Sequence, residues 1–91
     1  MAIALYLDAL EIRTPNDFPY YYGETQNNLG LAFALLAAFN FKDKNIRNAN
    51  CNAAIDAFKE ALNIFSKDQY PLRYEQIKGK CAATRELYKS E

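Results

Sequence analysis

One long stretch, residues 22–39, constrains the fold of this chain more than any other part of its sequence. The stretch YGETQNNLGLAFALLAAF begins with polar residues and ends in a nearly unbroken apolar run, with Gly30 inside it. A helix that is apolar on all sides must be enclosed by neighbours, so we expect this one to be buried on most of its circumference. Glycine inside a helix costs about 1 kcal/mol relative to alanine, and Gly30 therefore predicts that another helix passes very close.

The size and composition of the chain favour one small all-α domain. The sequence has 91 residues, of which 51% are hydrophobic and 24% are charged, as is usual for a single globular domain. With only three glycines and three prolines, it lacks the frequent turn signals of an all-β fold. We therefore expect a single helical domain over residues 1–91.

Charge and residue types disfavour several classes of function. Eleven basic and eleven acidic residues give a formal net charge of zero, so no global field favours nucleic acid or an anionic membrane. Histidine is absent, which removes the commonest general base and the commonest metal ligand. The sequence therefore predicts no enzyme activity, no cofactor, no metal and no nucleic-acid partner.

The cysteines and the apolar segments bear on the compartment. Cys51 and Cys81 form no CxxC pair, and we expect them to be reduced and packed as small apolar side chains. Asp8 interrupts the apolar N-terminus, and polar residues interrupt the uncharged run over 25–41, so neither a secretory signal nor a membrane span is predicted. These features favour the cytoplasm.

Apolar residues at three- and four-residue spacings predict about four helices. The prolines of TPNDFP and KDQYPL separate the first from the second and the third from the fourth. The segment FKDKNIRN, residues 41–48, predicts a solvated loop, and the start of the third helix stays open by a turn because Asn45, Asn48 and Asn50 can each act as a cap. The four predicted helices cover residues 2–13, 19–40, 46–66 and 71–89.

An internal repeat with an offset of 52 residues relates the two halves of the chain. The segment AIALYLDALEIRTPNDFPYYY, residues 2–22, aligns without a gap with AIDAFKEALNIFSKDQYPLRY, residues 54–74. Chance is a poor explanation, because the matching residues fall on the same helix faces and at the same turn. The identical pairs are Ala2/Ala54, Ile3/Ile55, Ala9/Ala61, Leu10/Leu62, Ile12/Ile64, Pro19/Pro71 and Tyr22/Tyr74.

These motifs resemble the tetratricopeptide repeat, a helix-turn-helix unit with Leu-Gly-x-x-Tyr in its first helix and Ala-x-x-x-Phe-x-x-Ala in its second. The run Leu29-Gly30-x-x-Phe33 is similar to the first motif, and Ala54-x-x-x-Phe58-x-x-Ala61 is similar to the second. The TQNNLG and AIxxYxxAL patterns are similar to the long-repeat variety of this family. The resemblance implies an α-solenoid fragment with a half-repeat at 1–15, a full repeat at 18–66 and a half-repeat at 70–91. It also implies that Leu29, Gly30, Phe33, Ala54, Phe58 and Ala61 pack the repeats together.

The resemblance further implies a binding site, because in this family the first helices of successive repeats line a concave groove that holds a peptide. Asn27 is either a ligand for a peptide backbone or a bridge between neighbouring helices, and the sequence leaves both open. The predicted groove residues are Glu24, Asn27, Leu31, Ala34 and Leu35 in the second predicted helix, and Gln76, Ala83 and Leu87 in the fourth.

Two main hypotheses for function follow. The first is a non-catalytic module that binds a protein or peptide partner in the groove between the second and fourth predicted helices. The second is a structural repeat segment that self-assembles, as a homodimer through its terminal half-repeats or within a longer array, with no separate ligand. A third hypothesis uses the basic face of Lys78, Arg85 and Lys89 to hold an acidic partner, although Glu75 and Glu86 favour a solvated face there.

Overall fold

The computed structural model describes residues 19–89 of the chain, and its regular elements in this range are three α-helices with no strand. Helix α1 spans Pro19–Phe39, α2 spans Lys44–Ile64 and α3 spans Pro71–Lys89. The all-helical prediction is thus confirmed for the described residues. The helix predicted at 2–13, and with it the half-repeat at 1–15, lies outside them.

Proline and serine set the boundaries around the connection from α2 to α3. Pro71 is the first residue of α3 and Pro19 is the first residue of α1, a position where the missing N–H breaks no helical hydrogen bond. The two prolines that align in the internal repeat therefore both begin helices. In the connection, the hydroxyl of Ser66 accepts a hydrogen bond from the N–H of Gln69 at 3.3 Å, and its carbonyl accepts one from Tyr70 at 2.8 Å.

Helix α2 begins earlier than the sequence predicts. The predicted loop over residues 41–48 is reduced to residues 40–43 between the two helices. The side chain of Asp43 accepts a hydrogen bond from the backbone N–H of Ile46 at 3.1 Å, and this N-cap lets the helix start at Lys44. The many charged residues of this segment predicted a loop. Asp43 instead satisfies a free N–H of the first helical turn, which stabilises a helix there. The asparagines predicted as caps, Asn45, Asn48 and Asn50, all lie inside α2.

The three helices pack so that α2 runs antiparallel to both of its neighbours. Gly23 of α1 lies against Phe65 and Gly30 lies against Phe58, so residue numbers rise along one helix as they fall along the other. Between α1 and α3 the order is the same in both, since the contacts at Glu24 and then Asn27 are made by residues 73 and 80. Helix α2 contacts both neighbours along its length, whereas α1 and α3 approach each other along one edge only.

The core lies where α2 meets α3 and α1. Phe58, Phe65 and Ile77 are fully buried there. Burying a side chain of this size stabilises a fold by about 1.5–3 kcal/mol, so these three supply much of the stability of so small a unit. Small buried residues between them allow the helices to approach closely, and these are Ala54, Ala61 and Cys81.

Two glycines of α1 lie against side chains of α2. A Cβ placed on Gly30 would stand 2.7 Å from the ring of Phe58. A Cβ on Gly23 would stand 2.8 Å from the ring of Phe65 and 2.9 Å from Ile64. The close approach predicted at Gly30 is therefore present, and the equivalent approach at Gly23 is a finding of the structure.

The burial of α1 differs from what its composition predicts. Gln26 and Asn27, in the polar half of the helix, are buried. The apolar half is open on one side: Leu31 is 42% exposed, Leu35 is 55% exposed and Phe39 is 87% exposed. The prediction that this helix is buried on most of its circumference is therefore wrong. The physical reason is that α2 covers one side of α1, while α3 reaches only one of its edges.

Candidate ligand groove

A groove separates α1 from α3 where both helices lie over α2. Its floor is the ring of Phe58, which is fully buried. It encloses about 200 Å³ and is open to solvent along its length. The residues that line it, referred to below as the groove, are Leu31, Ala34, Phe58, Lys80, Ala83, Thr84 and Leu87.

Helical spacing places these residues on facing walls. Positions 80, 83, 84 and 87 of α3 follow steps of three and four, which bring side chains to one face of a helix. Leu31 and Ala34 are likewise three residues apart on α1. Because α1 and α3 run in the same direction, the two walls face each other in matching order. The close contact between Gly30 and Phe58 brings the floor up between them.

Lys80 is the charged residue among those that line the groove, and its side chain is half-buried. Its ammonium donates a hydrogen bond to Oδ1 of Asn27 at 3.4 Å, and Asn27 is only 4% exposed. A neutral amide accepts this hydrogen bond but does not cancel the positive charge. The groove thus combines apolar walls with one cation at the end nearer to the start of α3.

Beyond Lys80, a neutral ion pair joins the beginnings of α1 and α3. Arg73 Nη2 lies 2.8 Å from Glu24 Oε1, and both side chains are about one-third exposed. The same guanidinium lies over the ring of Phe65, 5.4 Å from its centroid. The charge of Arg73 is therefore balanced by Glu24, whereas Lys80 has no ion pair with a carboxylate among residues 19–89.

Tyr22 links α1 to α2 through a short polar chain. Its hydroxyl donates to Glu60 Oε2 at 3.2 Å and accepts from Gln26 Nε2 at 3.1 Å. Partial burial raises the pKa of the Tyr22 phenol, the hydrogen bond from Gln26 lowers it, and the neighbouring Glu60 carboxylate raises it, with a net upward shift. The neutral phenol is the form that this arrangement favours.

Four of the eight predicted groove residues converge on the groove: Leu31, Ala34, Ala83 and Leu87. Asn27 lies at its end, where it is buried and bonded to Lys80. Of the two roles that the sequence left open for Asn27, the structure contains the bridge between helices.

The remaining three predicted residues lie outside the groove. Glu24 is held in the ion pair with Arg73. Gln76 borders a separate open depression of about 460 Å³ with Tyr70, Pro71, Leu72 and Arg73. Leu35 borders a shallow apolar depression of about 210 Å³ with Ala38 and Phe39.

The residues predicted to pack the repeats lie at the contacts between helices. Leu29, Gly30, Ala54, Phe58 and Ala61 are buried, and Phe33 is half-buried against the core cluster. Three of them belong to one face of α2, as the three- and four-residue steps from 54 to 61 require.

Sequence reasoning missed Lys80 and Thr84 as groove residues, and it assigned Phe58 to packing alone. The Thr84 hydroxyl donates back to the carbonyl of Lys80 at 2.8 Å, within the same helix. Helical spacing could have identified both residues, because residues 80 and 84 lie on the same face of α3 as Ala83 and Leu87, which were predicted.

Within residues 19–89, no group of His, Cys, Asp and Glu side chains is arranged to hold a metal ion. Among the helices of this described segment, none combines the length and the hydropathy that a membrane crossing requires. No protein-family model, curated protein or solved structure matches the chain. The geometry of the groove is therefore the basis on which we assign a function.

Proposed function

We propose that this chain is a non-catalytic protein-interaction module of the tetratricopeptide-repeat type, which binds a peptide or a partner helix in the groove. One observation supports the proposal most directly. Leu31, Ala34, Ala83 and Leu87, residues drawn from the repeat resemblance, line a single cavity between two parallel helices. The proposal retains the four-helix repeat arrangement and the cytoplasmic location predicted from the sequence.

The volume of the groove favours part of a peptide over a whole small-molecule ligand. Pockets for small molecules and cofactors usually enclose about 300–1,000 Å³ and bury most of the ligand. The groove is smaller, about 200 Å³, and is open to solvent. Such a site suits one or two apolar side chains of a longer chain, whose backbone stays outside the cavity.

The exposed apolar surface on the wall of the groove also supports the binding of a peptide. Leu31 is 42% exposed although it is apolar, and a contiguous exposed apolar surface is typical of an interaction site. A peptide that covers Leu31, Ala34 and Leu87 would remove this surface from water. Each Å² of apolar surface buried in this way stabilises the complex by about 25 cal/mol.

Binding of a fluorescently labelled library of amphipathic peptides to wild type and to Leu31→Glu tests the proposal. The variant places a charge on the wall of the groove, and we expect it to weaken binding at least tenfold. Leu72→Glu is the matched control, because Leu72 is 73% exposed and lies outside the groove. Binding that is indifferent to Leu31→Glu would exclude the groove as the site.

Self-assembly is a second candidate function, and a different observation favours it. Leu31, Leu35 and Phe39 follow steps of four along α1 and form an exposed apolar stripe, with Phe39 87% exposed. Two copies that pair through this stripe would cover it. Light scattering after gel filtration at tens of micromolar tests this, with Phe39→Lys as the interface variant. A cooperatively folded, strictly monomeric wild type would count against self-assembly.

A further inference from the structure

Lys80 has no acidic partner in the described part of the chain. Its ammonium bonds to the amide oxygen of Asn27 at 3.4 Å, and among residues 19–89 no carboxylate forms an ion pair with it. A charge that is half-buried beside apolar side chains is normally paired, because its hydration is reduced. Within residues 19–89 the charge of Lys80 is not paired with a carboxylate.

The charges around Lys80 do not compensate it. The facing wall, α1, carries no charged residue between Glu24 and Lys42, and Glu24 is paired with Arg73. The exposed Glu75 and Glu86 of α3 lie five residues before and six residues after Lys80, on other sides of the helix. Among residues 19–89, the groove therefore presents a positive charge without a paired carboxylate at one end of an apolar cavity. Electrostatic attraction is stronger in such surroundings than in water.

We propose that the groove selects peptides in which an Asp or Glu side chain lies close in sequence to a large apolar residue, an inference that rests on the binding function proposed above. The carboxylate binds the ammonium of Lys80. The apolar side chain enters the cavity over Phe58, between Leu31 and Leu87. Charge complementarity sets the first contact and apolar burial sets the second.

The spacing of the two contacts follows from α3. Ala83 and Thr84 line the cavity three to four residues beyond Lys80, which is about 5 Å along a helix. Side chains three or four residues apart on a helical peptide are separated by about 5–6 Å. Side chains two residues apart on an extended peptide are about 7 Å apart. The acidic and apolar residues of the ligand are therefore three or four positions apart in a helix, or two in a strand.

The carboxylate belongs to a side chain inside the peptide and not to a chain terminus. Lys80 lies in the middle of α3, and the surface continues on both sides of it, towards Arg73 in one direction and Leu87 in the other. Arg73 is engaged by Glu24, so it adds no second free cation for a terminal carboxylate. A peptide can therefore extend in both directions past the single charge.

Matched peptide pairs test this inference by fluorescence anisotropy. All peptides of these pairs are labelled and have acetylated N-termini and amidated C-termini, and each carries Leu or Phe as its apolar residue. The two peptides of a pair differ at one position, which is Glu in one and Gln in the other and lies at the stated spacing from the apolar residue. The proteins are wild type, Lys80→Gln, Leu31→Glu and the control Lys78→Gln. Lys78 lies exposed on the same helix, 5.7 Å from the ring of Tyr74 and outside the groove. A third peptide form has Gln and a free C-terminus.

We expect wild type to prefer Glu over Gln by about tenfold, as for a hydrogen bond between charged groups. This preference is lost in Lys80→Gln, is kept in Lys78→Gln and shrinks in 0.5 M salt. Leu31→Glu weakens the binding of both peptides of a pair.

Each way of failing has a distinct signature. The inference is overturned if the Glu and Gln forms bind equally, or if the preference for Glu survives Lys80→Gln. In either case, weaker binding to Leu31→Glu would still support the groove as the binding site. A preference for the free C-terminus over the internal Glu also overturns the inference. The proposed function itself is overturned if Leu31→Glu binds the peptides as tightly as wild type, or if no peptide pair binds at all. The inference is then overturned as well, because it rests on that function.

Discussion

Gly30 of α1 and the ring of Phe58 in α2 meet so closely that a Cβ on Gly30 would stand 2.7 Å from two ring atoms. Phe58 is fully buried, so its ring cannot move aside without disturbing the core. Gly30→Ala gains up to about 1 kcal/mol of helix propensity but overpacks the core, which typically costs about 1–3 kcal/mol. We expect a net loss in the free energy of unfolding, measured by urea denaturation.

Gly79→Ala is the control for this substitution. A Cβ on Gly79 would have no neighbour within 4 Å, so only the gain in helix propensity remains. We expect Gly79→Ala to stabilise the protein by about 0.5–1 kcal/mol. Equal effects of the two alanine substitutions would contradict the close contact at Gly30.

The cap of α2 is the second point that can be tested by a single substitution. Asp43→Ala removes the acceptor for the N–H of Ile46, and we expect it to lower the free energy of unfolding by about 1 kcal/mol. Asp43→Asn removes the charge but keeps a capping oxygen, so its loss should be much smaller. If the two substitutions were equally destabilising in a thermal melt, the charge would matter and the cap would not.

Alkaline pH should destabilise the wild type more than Tyr22→Phe. Burial raises the pKa of Tyr22 in the folded protein above its ordinary value of 10.0, so above that pH the folded state holds the proton that the unfolded state releases. The associated stability is complete below pH 10 and is lost as the pH rises through the folded pKa.

Urea denaturation at pH 8 and pH 11 measures this effect as the difference between wild type and Tyr22→Phe. Other groups that titrate in this range do so in both proteins and cancel in the difference. Glu60→Gln should reduce the alkaline loss, because the Glu60 carboxylate contributes to the raised pKa. Parallel pH profiles for wild type and Tyr22→Phe would disprove the assignment.

Cys51 should resist alkylation in the folded protein. Its side chain is fully buried, and burial raises the pKa of the thiol, against a smaller opposing effect of the Arg47 charge. Cys81→Ser leaves Cys51 as the single thiol. We expect iodoacetamide at pH 8 to modify this variant about a hundredfold more slowly in buffer than in 8 M urea, because labelling requires local opening. Comparable rates in the two conditions would show that the thiol is accessible.

The helix boundaries that the sequence predicted best are those set by proline. The predicted start of α3 at Pro71 agrees with the structure, because proline at the first helical residue is a local effect. The start of α2 was missed because Asp43 reads equally well as part of a charged loop and as a cap. Only the hydrogen bond to Ile46 distinguishes the two.

The groove was partly predictable, and the reason for the misses is tertiary. Helical spacing brings Leu31 and Ala34 to one side of α1 wherever the helix lies. Whether Leu35 joins them depends on how far α3 extends across that side, and the sequence does not encode this locally. The same geometry leaves Leu35 beside the exposed Phe39, and it buries Asn27 beneath Lys80.

The glycine contacts of α1 also determine how α1 and α2 are aligned along their axes. Gly23 and Gly30 are seven residues apart, as are Phe58 and Phe65, and in the antiparallel pair each glycine receives one ring. A slide of one turn, about 5.4 Å, would bring both rings against positions that carry side chains at once. Gly23 and Gly30 do not line the groove. They nevertheless fix the axial register between α2, which supplies the floor of the groove, and α1, which supplies one of its walls.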